Sequence, residues 1–137
     1  MSGAILSVLD EMEPGQWLAL TAGVINTPQS GPDHTVIDMT DVSTEAAAAA
    51  ILSVLPLDHT GAPIVYLDRE DAAEELPDVV FAVCGIAADA ERRRVPMSRL
   101  NEKDFALLAE RAALTVRSQC VGEPAAFLLR KGESFLG

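Results

Sequence analysis

The chain has 137 residues, of which 49% are apolar and 23% charged, and its formal net charge is −11 at pH 7. This length and apolar content are typical of one globular domain spanning residues 1–137 and argue against disorder. The strong negative charge disfavours nucleic acid as a partner, because phosphate backbones are bound mainly by lysine and arginine.

In the first half, apolar residues at helical spacing predict a short amphipathic helix over residues 5–12. The alanine run of residues 46–50 is a strong helix former and predicts a second helix from about residue 43 to 55. Residues 26–33 have the composition of a loop. Three short apolar runs predict strands, over residues 17–25, 36–39 and 64–67.

In the second half, we predict an exposed acidic helix over about 69–76, a strand over 79–84 and a helical turn or loop over 86–95. Asn101 is a typical N-cap, with Asp104 three residues later, so a long helix is expected from Asn101 to Cys120. The run from Pro124 to Arg130 suits a helix or an edge strand, and we favour the helix.

This order of strands and helices is typical of parallel βαβ units. We therefore predict an α/β fold, a single-domain sandwich in which a mostly parallel sheet of about four strands is flanked by helices. A long helix would lie near the C-terminus. An α+β fold is the alternative.

The predicted helix 101–120 has a narrow polar stripe and a wide apolar face, wider than contact with one sheet requires. Such a face is typical of a helix shared with a second subunit. We therefore expect a homo-oligomer, most simply a homodimer, with an interface formed by Phe105, Leu107, Leu108, Ala112, Leu114 and Val116.

Acids and bases are unevenly distributed along the chain. The first basic residue is Arg69, and nine carboxylates precede it. Sixteen acids and one base lie at or before Glu91, whereas nine bases and five acids follow it. The acidic segment cannot pair its charges internally, so it is expected to form an acidic surface that suits a basic protein partner.

Three aspartates follow or end predicted strands: Asp38, Asp41 and Asp68. Ligands in open α/β sheets bind at the carboxyl ends of strands, so these side chains are candidate ligands for a divalent cation such as Mg²⁺. Asp38 lies in a run that otherwise looks buried, which makes it the candidate catalytic carboxylate. For Asp41 and Asp68 we favour helix capping, with Asp41 or Ser43 beginning one helix and Asp68 another, and the cation site is the alternative.

Two histidines and a cysteine are further candidates for functional residues. His34 and His59 precede their strands, so we expect them at the opposite edge of the sheet, in surface loops. Cys84 ends a predicted strand before Gly85, the position of a nucleophile on a strand-to-helix turn. We favour a buried inert thiol, and the nucleophile is the alternative.

No established catalytic or cofactor motif is found in the sequence. The cysteines are isolated and no apolar run approaches the roughly 18 residues of a membrane span, so we expect a cytoplasmic protein without a cofactor. In size and acidity the chain resembles bacterial secretion chaperones and small adaptors. We therefore predict a non-catalytic adaptor or chaperone-like interaction protein. The alternative is a metal-dependent hydrolase or small-ligand binder that uses the aspartate cluster.

Overall fold

The computed structural model describes residues 7, 9–22, 35–58, 61–67, 78–119 and 125–132. Residues 9–11 are helical, within the first helix predicted from the sequence. The other elements in this part of the chain are, in order, β1 (Trp17–Ala22), β2 (Thr35–Ser43), α1 (Thr44–Leu52), β3 (Ile64–Leu67), α2 (Asp78–Glu91), β4 (Met97–Leu100), α3 (Glu102–Ala109), β5 (Ala112–Gln119) and β6 (Ala125–Arg130).

All six described strands belong to one sheet, in the order β2-β5-β1-β6-β3-β4. Strand β5 is parallel to both β1 and β2, and β3 is parallel to β4. Strand β6 is antiparallel to its neighbours β1 and β3. The predicted α/β class is confirmed, whereas the predicted sheet of about four mostly parallel strands is wrong, because the sheet is larger and mixed.

Helices cover both faces of the sheet. On one face, α1 and α2 pack against each other and against apolar strand residues that include Leu20, Val116 and Leu129. On the other face, α3 buries Phe105 against a smaller group that includes Ala126 and Leu128. Adjacent residues of β6 therefore point to opposite faces, as strand geometry requires.

The predicted long helix is wrong in its second half. Its start is confirmed, since the Asp104 backbone N–H donates to Asn101 Oδ1 at 2.8 Å. The helix ends at Ala109, however, and strand β5 follows from Ala112. Strand β5 lies between β1 and β2, and its residues 112–116 are buried or partly buried. They form a nearly continuous apolar run, which periodicity alone does not distinguish from a helix.

The loss of that helix removes the basis of the predicted interface. Four of its six residues are buried within the protein's own core: Phe105, Ala112, Leu114 and Val116. Leu108 is partly buried against the core, and Leu107 is 57% exposed. The structure does not contain the continuous apolar helix face from which a homo-oligomer was predicted. The homo-oligomer therefore stays a prediction.

Two further segments differ from the prediction. The strand predicted over 79–84 is wrong, because these residues lie in helix α2, whose buried residues Val80, Val83 and Ala87 follow helical spacing. Of the helical turn or loop predicted over 86–95, residues 86–91 belong to the same helix. The segment favoured as a C-terminal helix is strand β6, placed between β1 and β3. The helix predicted over 43–55 and the strands over 36–39 and 64–67 are confirmed.

The loop predicted over 26–33 and the acidic helix over 69–76 lie outside the described residues. No helix within the described ranges is long and apolar enough to cross a membrane.

Part of the charge asymmetry is resolved within the chain. Arg130 Nε lies 3.2 Å from Asp58 Oδ2, and Arg93 Nη2 lies 3.4 Å from Glu91 Oε1. Arg93 Nη2 also donates to the Asp58 carbonyl oxygen at 3.2 Å. These two arginines, which follow Glu91 in the sequence, therefore form ion pairs with carboxylates of the acidic segment. Because the pairs are partly solvated, each contributes little to stability.

Candidate functional site

A cleft of about 320 Å³ opens at the edge of the sheet where the parallel strands β1, β2 and β5 end. The antiparallel strand β6 begins at the same edge, and α1 and α2 start beside it. The residues that line the cleft are Ala22, Ser43, Thr44, Glu45, Val79, Gln119 and Ala125. This carboxyl edge is where open α/β sheets commonly bind ligands.

A break in strand register shapes one side of the cleft. Met39 pairs with Ser118 and Ser43 pairs with Gln119, so residues 40–42 of β2 bulge between two consecutive pairs of the ladder. Bulges of this kind redirect side chains next to functional sites. The bulge brings the end of β2 and the start of α1 to the cleft.

Helix α1 begins at the cleft because Ser43 caps it. The Ser43 backbone is extended, and its Oγ accepts the Ala46 backbone N–H at 3.2 Å. Glu45 follows in the first turn, where a carboxylate complements the helix dipole. Capping was one of the roles expected for Asp41, but Ser43 is the N-cap.

A chain of buried hydroxyl groups lies at the base of the cleft. Thr44 Oγ1 and Ser118 Oγ are 3.0 Å apart, and Ser118 Oγ donates to the Thr21 carbonyl oxygen at 3.0 Å. Thr21, Thr44 and Ser118 are each at most 5% exposed. These contacts connect β1, α1 and β5 at one point.

The described lining combines small apolar side chains with a few polar groups. Ala22, Ala125 and Val79 provide apolar surface, whereas Glu45 supplies a carboxylate and Gln119 an amide. No lysine or arginine occurs among these lining residues. Ligand sites commonly have this character, a largely apolar wall with a few hydrogen-bonding groups that fix orientation.

The structure does not bring the predicted aspartate cluster together in the residues it describes. Asp38 and Asp41 are both exposed on β2, so the expected burial of Asp38 is wrong. The cause is the position of β2 at the end of the described sheet. Asp38 nevertheless takes part in a polar interaction, and its Cα is paired with that of Arg117 on β5.

Asp68, His34 and His59 lie outside the described residues. Strand β3, which Asp68 follows in sequence, is separated from β2 by three strands, a distance of about 19 Å between strand axes. The described residues contain no group of three or more His, Cys, Asp or Glu side chains placed to hold a metal ion. A divalent cation stays a prediction.

Cys84 is not on a strand-to-helix turn, since it lies within α2. It is partly buried, and its Sγ donates to Met97 Sδ at 3.5 Å. Burial raises the pKa of the Cys84 thiol above its ordinary value. The nucleophile is the thiolate, so this environment does not favour the catalytic role considered for Cys84.

We predict that Cys84 reacts slowly with iodoacetamide. The raised pKa leaves a smaller fraction of the thiol ionised than in an unperturbed cysteine at the same pH. Alkylation should therefore be slower than that of a model peptide thiol and should accelerate only at higher pH. Peptide-resolved mass spectrometry in a Cys120→Ser background measures this rate. Faster alkylation than the peptide at neutral pH would contradict it.

The sequence predicted the edge of the sheet at which the cleft lies but not the residues that line it. Glu45 and Gln119 were not singled out, and Ser43 was considered only as a helix cap. The signal available for Glu45 was its place in the first turn of a helix that follows a strand. Gln119 carried no signal, because β5 was predicted as part of a helix.

No family model and no curated protein matches the chain. Solved structures match it over nearly its whole length. Protein Atu2016, a candidate sugar-binding protein, is 26% identical with a TM-score of 0.86, and the match covers 97% of this chain and 91% of that one. FucU from Bifidobacterium longum is 24% identical with a TM-score of 0.86, and the match covers 98% and 95%.

The fucose mutarotase from Streptococcus pneumoniae, solved in complex with L-fucose, is 18% identical with a TM-score of 0.81, and the match covers 97% of this chain and 94% of that one. The chain therefore shares its fold with these small α/β proteins. These similarities contradict the predicted adaptor or chaperone-like function. They also contradict the description of the chain as a protein–protein interaction module. That prediction was wrong because it rested on acidity and an apolar helix face, and neither specifies a fold.

Proposed function

We propose that this protein binds a small neutral sugar in the cleft at the carboxyl edge of its sheet. The observation that carries the proposal is the match, over almost the whole chain, to a candidate sugar-binding protein and to a mutarotase solved with L-fucose. The cleft lies where α/β sheets commonly bind ligands, which supports the same conclusion.

The described lining suits a sugar that carries no charge. The Glu45 carboxylate accepts hydrogen bonds from hydroxyl groups, and the Gln119 amide both donates and accepts them. The small side chains of Ala22 and Ala125 leave room for a ring and give its C–H faces apolar contact. An anionic sugar would meet Glu45 and a net charge of −11 without a lysine or arginine in the described lining.

A second candidate function is the interconversion of the cyclic forms of the sugar, which the likeness to the fucose mutarotase favours. A base removes the proton of the anomeric hydroxyl, the bond between the anomeric carbon and the ring oxygen breaks, and that oxygen takes up a proton. Closure on the other face gives the other anomer without net oxidation. Glu45 is the carboxylate of the described lining that can accept the proton.

Calorimetric titration of the whole protein with L-fucose, D-ribose and D-ribose 5-phosphate tests the binding proposal. We expect saturable binding of at least one neutral sugar and weaker binding of the phosphate ester, because the ester brings negative charge to an acidic protein. Absence of heat with both neutral sugars, or a preference for the phosphate ester, would contradict the proposal. The basic protein partner stays a separate prediction that this titration does not address.

A further inference from the structure

We infer that the buried hydroxyl chain formed by Thr44, Ser118 and the Thr21 carbonyl is a positioning device for the cleft. By fixing Thr44 and Ser118 relative to each other, it positions the adjacent cleft residues Glu45 and Gln119. This inference rests on the proposed sugar binding and identifies what determines affinity at that site. Thr44 also lines the cleft, whereas Thr21 and Ser118 are not among the described lining residues and act through their neighbours.

The direction of the hydrogen bonds follows from the number of available protons. A serine hydroxyl has one proton, and that of Ser118 is donated to the Thr21 carbonyl oxygen. Donation from Thr44 Oγ1 to Ser118 Oγ across their 3.0 Å contact completes the arrangement that uses the two shortest contacts. The Gln119 carbonyl oxygen lies 3.5 Å from Thr44 Oγ1 as a more distant acceptor. Consecutive bonds in one direction strengthen each other in a low-dielectric site.

Each member of the chain directly precedes a residue of the cleft wall. Ala22 follows Thr21, Glu45 follows Thr44, and Gln119 follows Ser118. Adjacent Cα atoms are about 3.8 Å apart across a trans peptide bond. A shift of either hydroxyl therefore moves a cleft residue that is its direct neighbour in the chain. The chain of bonds thus fixes Ala22, Glu45 and Gln119 relative to one another.

The break in register between β2 and β5 makes these side-chain bonds necessary. Residues 40–42 separate two consecutive pairs of the ladder, so regular backbone pairing does not lead continuously into the start of α1. Thr44 is the first residue of α1, and its bond to Ser118 attaches the helix directly to β5. The hydroxyl chain fixes the start of α1 relative to β5, which the interrupted ladder of backbone hydrogen bonds does not do.

Four variants test the inference through the dissociation constant for L-fucose and the melting temperature. Thr44→Val keeps the shape of the side chain but removes its donor, and Ser118→Ala removes the central hydroxyl. We expect each to weaken binding by about tenfold, because the remaining buried polar group loses its partner and the walls shift. Thr44→Ser keeps the donor and should bind within about twofold of the wild type.

Thr115→Val is the matched control. Thr115 is a buried hydroxyl residue on the same strand, 4% exposed, and it is not among the described lining residues. This variant should lower the melting temperature but leave the dissociation constant unchanged. The inference is overturned if Thr44→Val and Ser118→Ala bind L-fucose as well as Thr115→Val does. A wild type that binds no sugar would instead overturn the proposed function, and the positioning role with it.

Discussion

Replacing Gly132 with alanine is expected to destabilise the protein by about 3 kcal/mol, the upper part of the range for overpacking a closely packed site. A Cβ atom at this position would lie 2.5 Å from the Leu57 carbonyl oxygen and 2.8 Å from the Asp58 Cα. The two backbone segments would have to separate. That movement strains the hydrogen bond from the Gly132 N–H to the Pro56 carbonyl oxygen, which is 2.8 Å long.

Gly85→Ala is the matched control for this prediction. Gly85 lies in helix α2, and nothing occupies the space within 4 Å of its would-be Cβ. Alanine there should stabilise the protein by about 0.5–1 kcal/mol, because it lowers the conformational entropy of the unfolded chain. Urea denaturation gives both changes in the free energy of unfolding. A Gly132→Ala protein as stable as the wild type would show that the two backbones do not meet this closely.

Replacing Glu45 with glutamine is expected to have the largest effect on activity. If Glu45 accepts the anomeric proton, the amide cannot replace it, and anomer exchange should slow by about 10²–10³-fold, within the range for general base catalysis. Magnetisation-transfer NMR of L-fucose measures this rate, with the uncatalysed exchange subtracted. The amide retains hydrogen-bonding capacity, so the sugar affinity should fall by less than the rate.

Glu102→Gln is the control for the change of charge. Glu102 is also an acidic residue in the first turn of a helix, α3, and it is exposed. Both variants lose the same interaction with a helix dipole, typically worth about 0.3–1 kcal/mol. Only Glu45→Gln should slow the exchange. Equal rates in the two variants would remove Glu45 from the proposed chemistry and leave binding as the function.

The sequence predicted best the elements whose signals are local. Strand β3 was predicted with the bounds that the structure shows, and the capping of α3 by Asn101 was recognised from the aspartate three residues later. Capping residues act over one helical turn, so their effect is readable without knowledge of the fold.

The elements that were predicted wrongly depend on neighbours far away in the chain. Residues 112–116 of β5 are buried or partly buried because β5 lies inside the sheet, between β1 and β2, and β1 lies nearly a hundred residues earlier in sequence. Val79, Val80 and Val83 favour a strand locally, yet packing against α1 makes them part of a helix. Tertiary contacts outweighed local propensity in both segments.

The sequence predicted where in the fold the candidate site lies but not which residues form it. The rule that ligands bind at carboxyl ends of strands gave the correct edge, because β1 and β2 were predicted as strands. It led to the wrong side chains, since Asp38 and Asp41 look more distinctive in sequence than Glu45 and Gln119. Which residues face the cleft depends on the bulge in β2 and on the pairing of β2 with β5, and neither is visible in the sequence.

Mapping of backbone amide shifts by NMR during titration with L-fucose tests the central claim most directly, because it reports both binding and its location. We predict saturable shifts at Ala22, Glu45 and Gln119, which lie on three elements around the cleft. The amide of Trp17, at the opposite end of β1, should not shift. Saturable shifts confined to that opposite edge, or no saturable shift with any neutral sugar, would contradict the account.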